Sequence, residues 1–151
     1  MRRKHWHAGD LPALMEVAAL LVWLRLSLHL RPFRTVREQV LSRARRMSPA
    51  MTDGSHDDDR ALRRAMLRGA RLLPGSKCLP QALAGLLFAA RRGVRARVCI
   101  GVQAGNGEPF GAHAWLATAR GAVVGDTDAA RFIPLVTLDP FQMDGPASVQ
   151  Q

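Results

Sequence analysis

Lys77-Cys-Leu-Pro-Gln-Ala-Leu-Ala-Gly-Leu-Leu-Phe-Ala-Ala-Arg-Arg-Gly-Val-Arg-Ala-Arg-Val-Cys-Ile-Gly-Val-Gln103 changes its hydrophobic period halfway along. Leu79, Leu83, Leu86, Leu87 and Ala90 recur at spacings of three and four, which predicts one apolar helix face. Pro80 suits a first helical turn, where its missing N–H costs nothing. Arg91 and Arg92 suit the negative end of the dipole, and Gly93 can take the left-handed conformation that closes a helix. From Val94 to Gln103 the period becomes two, with Val94, Ala96, Val98, Ile100 and Val102 on one side and Arg95, Arg97, Cys99, Gly101 and Gln103 on the other. A helix has handed over to a half-buried strand. Downstream, a Gly-rich loop over 104–111 leads to a second strand, Ala112–Ala119. A turn at Arg120-Gly121 then returns the chain as a third, Ala122–Asp126. Helices followed by antiparallel strands define an α+β fold.

Upstream, Leu14, Val17, Ala18, Leu21, Leu24 and Leu28 predict a helix from about Pro12 to Leu30, whose other face is also apolar through Leu20, Val22, Trp23 and Leu26. Glu16, Arg25 and His29 interrupt it. The longest run without an ionisable residue, Val17–Leu24, spans only about 12 Å at 1.5 Å per residue, against a bilayer core of about 30 Å. A buried or interfacial helix is therefore expected rather than a membrane span. Pro32 ends it, and Phe33–Arg46 continues as a basic segment. The expected organisation is one domain over 1–151. It comprises an N-terminal helical region at 11–46, an exposed loop at 47–59, the α+β core at 60–142 and a frayed tail at 143–151. Asp57, Asp58 and Asp59 stand where the next helix, Arg60 to about Leu73, is expected to begin, and there they favour its dipole and cap its free amides.

With 151 residues, 48% of them hydrophobic, the chain carries enough apolar surface for one core, which excludes a disordered chain. The 22 Lys and Arg against 12 Asp and Glu leave a formal charge of +10, almost all of it on arginine. That surface favours phosphates, anionic lipid or an acidic polypeptide. An Arg-rich module for nucleic acid or an acidic partner is thus one class of function, although stacking aromatics are scarce and no nucleic-acid motif is present. Two cysteines without a Cys-x-x-Cys pair make neither a disulfide framework nor a zinc site, so a reducing cytoplasm is the default. No cofactor is expected. His5 and His7 form only a weak terminal metal signal, and His29 and His56 are expected to be structural or solvent-facing.

Cys78 immediately precedes the helix that opens with Leu79 and Pro80. There, free amides and the positive end of the dipole stabilise a thiolate, and Lys77 acts in the same sense. Cys99 is expected to be a core or sheet-face residue. A nucleophilic thiol needs a base, and the base needs a partner on its other nitrogen. His113, on the second strand beside Trp115, is the candidate base. Asp126 lies close to opposite it across the hairpin, Asp128 is the near competitor, and Asp139 is a distant third.

A Cys at a helix start, His-Ala-Trp at 113–115 on a strand and an Asp on the next strand resemble the transglutaminase-like branch of the papain-type cysteine enzymes. More narrowly, the segment from Lys77 to Val102, Ala112–Asp126 and Arg131–Leu135 look like the stand-alone leader peptidase of lasso-peptide biosynthesis, the B protein without its recognition domain. The Leu-rich helix ending in Arg31-Pro-Phe33 is similar to that family's N-terminal region. The resemblance implies a transglutaminase/papain-like core in which Cys78 is the nucleophile, His113 the general base and acid, and Asp126 the orienting acid. It implies cleavage of a leader from a ribosomally made precursor before an ATP-dependent cyclase closes the ring. It also implies a small leader-binding recognition protein as partner, for which the all-round apolar helix Leu11–Leu30 and the basic segment Arg34–Arg46 are the expected docking surface. Transglutaminase-type amide exchange shares the same thioester and differs only in the acceptor. Trp115 is expected to pack under the imidazole, and Gly105, Gly107 and Gly111 to allow a mobile loop nearby.

Overall fold

The computed structural model describes residues 11–47, 50–103, 111–125 and 131–142. Four helices come first: α1 (Leu11–Leu30), α2 (Phe33–Met47), α3 (His56–Arg71) and α4 (Cys78–Arg91). Four strands follow: β1 (Arg97–Gln103), β2 (Gly111–Thr118), β3 (Gly121–Val124) and β4 (Ile133–Leu138). They form one antiparallel sheet in the order β3-β2-β1-β4. The α+β expectation is met.

α4 is the central element. Every residue from Ala82 to Ala90 is buried, because α4 packs on β2 with one side and against α1, α2 and α3 with the others. Its composition makes this possible, since Ala82, Ala84, Gly85, Ala89 and Ala90 let neighbouring backbones come close. A methyl at Gly85 would sit 2.8 Å from Leu116 Cδ2. The helix closes as its sequence predicts, with Gly93 at φ +69°.

α1, apolar all round, is covered on one side only. Ala13, Val17, Leu21, Leu24 and Ser27 are buried against α3 and α4, while Leu11, Met15, Val22, Leu26 and Leu30 remain exposed. Glu16 fastens α1 to the end of α4 through ion pairs with Arg91 (3.2 Å) and Arg92 (3.0 Å), the latter guanidinium lying over the Phe88 ring. By length and composition α1 is long and apolar enough to cross a membrane, a property the run-length reading of the sequence excludes.

The segment at 47–59 is less loop than expected, because α3 begins at His56 and not at Arg60. Ser55 and Asp58 form a reciprocal capping box: Ser55 Oγ accepts from Asp58 N at 3.2 Å and Asp58 Oδ2 accepts from Ser55 N at 2.7 Å. The three aspartates therefore lie within the first turn of α3, where they interact favourably with the positive end of its dipole. Arg120, in the β2–β3 turn, binds back to this corner. Its Nε and Nη2 hold both carboxylate oxygens of Asp59 at 2.6 and 3.0 Å, and it donates to the carbonyls of Asp53, Gly54 and Ser55.

The sheet corrects three expectations. β1 starts at Arg97, with Val94 making only an isolated bridge to Thr52. The hairpin turns at Ala119-Arg120, one residue earlier than predicted, because Thr118 pairs with Gly121; a register shift then brings Val124 opposite Leu116. β4 has no counterpart in the sequence reading, yet it pairs along the free edge of β1 and is tied to α2 by Arg45 Nε donating to Pro140 O (2.7 Å). The predicted frayed tail at 143–151 and the glycine loop at 104–110 lie outside the described residues.

Candidate active site

Cys78 is the first residue of α4. Lys77 precedes it as an N-cap in extended conformation and supplies no side-chain cap, so the first-turn amides stay available to an oxyanion or a thiolate. Gln81, one turn into the helix, steadies the approach by donating from Nε2 to Ser76 O at 2.9 Å. The Cys78 side chain is half-buried and packs against the main core.

His113 stands near the start of β2. Its Nε2 lies 2.9 Å from the carbonyl oxygen of Gly125, just past the end of β3. The ring is flanked by Trp115, stacked at 6.1 Å between centroids, and by Phe132, tilted at 5.0 Å. The expected Trp115 contact is present.

Cys78 and His113 share one end of the fold. The C-terminus of α4 runs into β1 beside Arg97, which pairs with Ala117, and Gly85 packs on Leu116, so the N-terminus of α4 projects toward the start of β2. From Gly85 back to Cys78 is about 10 Å of helix, and from Leu116 back to His113 about 10 Å of strand. Both residues therefore lie toward the same end of the α4–β2 layer. They occupy opposite faces of the sheet, because strand alternation sends Ala114 and Leu116 toward α4 and groups His113 with Trp115 and Ala117 on the far side. No hydrogen bond joins the thiol to the imidazole among the described residues.

Of the three candidate acids, Asp126 and Asp128 lie outside the described residues. Asp139 is excluded as the partner of His113. It follows β4 at the opposite end of the sheet, where its Oδ1 accepts from Phe141 N at 2.9 Å and it lines a cavity of about 290 Å³ with Asp53, Arg95, Arg97 and Thr118. Two contributors to the His113 environment went unread in the sequence. Gly125 acts through its main chain, which no side-chain pattern reveals, and Phe132 belongs to a segment with no strand periodicity.

Cys99 is buried on the same sheet face as Trp115, and burial pushes its thiol above the ordinary range against the opposing influence of Arg97. It is the sheet-face residue expected. Alkylation at neutral pH should modify half-buried Cys78 at least about tenfold faster than Cys99, with Cys99 becoming reactive only at higher pH or on unfolding. Peptide mapping by mass spectrometry checks the order. Comparable rates at neutral pH would contradict the burial assigned to Cys99. His29 and His56 are exposed, and His5 and His7 lie outside the described residues. Among the described residues no group of three or more His, Cys, Asp or Glu is arranged to hold a metal.

Comparison with curated proteins and with solved structures returned no match. Comparison with protein families returned the transglutaminase-like superfamily, matched over residues 18–137, a span that contains Cys78, His113 and all four strands except the last residue of β4. Membership of this kind points to a cysteine protease or acyl-transferase type of function. With a match over most of its length, an α+β architecture and a cysteine opening its central helix, the chain belongs to the transglutaminase-like superfamily.

Proposed function

We propose that this protein is a cysteine peptidase that removes the leader from a ribosomally synthesised lasso-peptide precursor before macrolactam formation, using Cys78, His113 and Asp126. The observation that carries the proposal is Cys78 at an uncapped helix N-terminus inside the span matched by the superfamily. His113 takes the Cys78 thiol proton, the thiolate attacks the scissile carbonyl carbon, and first-turn amides of α4 stabilise the oxyanion. The C–N bond breaks as His113 gives a proton to the leaving amine, freeing the core peptide. Water, deprotonated by His113, then hydrolyses the thioester and releases the leader acid. Cys78 and His113 lie on opposite faces of the sheet, so the scheme requires the start of β2 to rearrange on substrate binding and bring the imidazole to the thiol. Ala112 and Ala114, the residues of β2 on the α4 side at this level, present only methyl groups there.

Substrate selection is shared with a leader-binding protein, and the core peptide passes to an ATP-dependent cyclase in the cytoplasm. The exposed stripe of α1, Leu11, Met15, Val22, Leu26 and Leu30, is the docking surface, since an apolar face of this extent is a liability without a cover. Intact-mass analysis of precursor peptide incubated with the protein, alone and with the leader-binding partner, tests the whole scheme. Slow cleavage alone and marked acceleration with the partner are expected, with weakening at high salt where arginines contribute. A product joined to an amine in place of water would assign amide exchange. Full-speed, leader-specific cleavage by the isolated chain would remove the partner from the scheme.

A further inference from the structure

We propose that the cavity at the end of the sheet remote from Cys78 binds a small zwitterion, a free α-amino acid or short peptide with an apolar side chain. Its volume of about 290 Å³ is close to the lower limit of small-molecule sites, about 300 Å³. Room is left there because small residues, Ala96, Ala117 and Ala119, form the wall beside the start of β1 and the end of β2. Phe141, still 41% exposed, gives the cavity an aromatic surface.

Charges of both signs line this cavity as neighbouring couples. Asp139 follows Leu138, which pairs with Val98, and this sets it beside Arg97. Asp53 follows Thr52, whose carbonyl accepts from Arg95 N at 2.7 Å, and this sets it beside Arg95. Yet among the described residues no ion pair joins either arginine to either aspartate. Asp139 is held by one oxygen only, Oδ1 accepting from Phe141 N at 2.9 Å. The nearby Arg120 is committed to the Asp59 carboxylate and to main-chain carbonyls, that of Asp53 among them, and makes no ion pair with the Asp53 carboxylate. The cavity thus stands between opposite charges that the fold brings close without joining.

A simple anion would satisfy the guanidiniums and meet two carboxylates of its own sign, and a simple cation would do the reverse. A zwitterion answers both. Its carboxylate accepts from Arg95 and Arg97, its ammonium donates to Asp53 and Asp139, and its side chain lies on Phe141 and the alanines. Arg97 is four residues along β1 from Gly101, the partner of His113, or about 13 Å of strand. The site is therefore independent of the peptidase reading, and variants in it should leave cleavage unchanged.

Backbone-amide NMR titration of the full-length protein tests this, with L-leucine, leucylleucine, leucinamide, isocaproate and inorganic phosphate as probes. Saturable shifts with L-leucine or leucylleucine are expected, centred on residues 95–97, 117–119 and 139–142. The tighter of these two probes identifies the source as free amino acid or peptide, and either order supports the site. Leucinamide and isocaproate each lack one charge and should bind at least about tenfold more weakly, as should L-leucine to Arg97→Gln or Asp139→Asn, because a charge-assisted contact is lost. Asp139→Asn keeps an oxygen to accept from Phe141 N, so the turn survives. Ala119→Leu, at an exposed position, fills the cavity and should abolish binding in a folded protein. Isocaproate or phosphate binding as tightly as L-leucine, shifts that persist in Ala119→Leu, or no saturable shift with either leucine probe at millimolar concentration would overturn the proposal.

Discussion

Cys78→Ala and Cys78→Ser are expected to fold as the parent does and to lose cleavage by at least about a thousandfold, the scale seen when a nucleophile is removed from a covalent mechanism. The side chain is half-buried at a helix terminus and holds no hydrogen bond among the described residues, so its removal disturbs little packing. His113→Ala should be as severe in rate. Residues that act on one bond-making event are strongly non-additive, so the double variant should be little worse than either single one. Cys99→Ala should keep its activity and lose some stability, because a buried side chain is truncated beside Trp115. Single-turnover cleavage followed by mass spectrometry, with circular dichroism to confirm folding, separates these cases. Substantial turnover by Cys78→Ala would remove the thiol from the mechanism, and additive losses in the double variant would mean that Cys78 and His113 act separately.

A large loss of stability is expected from a single methyl group at the crossing of α1 and α3. Gly69 faces Val17 there, and an added Cβ would stand 2.2 Å from Val17 Cγ1 and 2.7 Å from Val17 Cβ. Val17 is fully buried, and its branched side chain has one strongly preferred rotamer in a helix, so it cannot swing aside. Forcing an extra methyl into a packed core costs about 1–3 kcal/mol. The better helix propensity of alanine returns about 1 kcal/mol. With an overlap this deep the upper part of the range applies, and Gly69→Ala should destabilise the protein by about 2 kcal/mol. Urea denaturation should show a lowered midpoint with an unchanged slope. Val17→Ala combined with Gly69→Ala should be less damaging than the sum of the two, since the first removes what the second strikes. An equally stable Gly69→Ala protein would place the α1–α3 contact elsewhere.

Much of the fold was legible because local periodicity and capping chemistry agree with the tertiary outcome. The switch from period 3.6 to period 2 between Ala90 and Val94 marks the end of α4 and the approach to β1, and Gly93 closes the helix where a left-handed residue is required. The placing of Cys78 at a helix start follows from Pro80 in the same way. Alternation along β2 already set His113 and Trp115 on a common face. The first turn of α3 shows the reach and limit of such reading. An acidic run favours a helix start, but it does so from inside the first turn as well as from before it, and only the Ser55–Asp58 capping box fixes the boundary.

Several decisive features have no local signature. Periodicity gives α4 one apolar face and α1 two, yet it is α4 that is enclosed. The small residues of α4 let the sheet and three helices close around it, which leaves one side of α1 bare. β4 combines a proline with a run of apolar residues that do not alternate, and pairing with β1, not its own pattern, makes it a strand. The hairpin register depended on one residue of turn and one register shift, and the carbonyl of Gly125 that it sets against His113 has no side-chain signature in the sequence. By itself the sequence determined the kinds of elements, their order and the residue types of the site, because these depend on interactions within a few residues. The enclosure of α4, the faces that Cys78 and His113 occupy and the backbone group that holds the imidazole were decided by tertiary structure, because each depends on contacts between segments far apart in the chain.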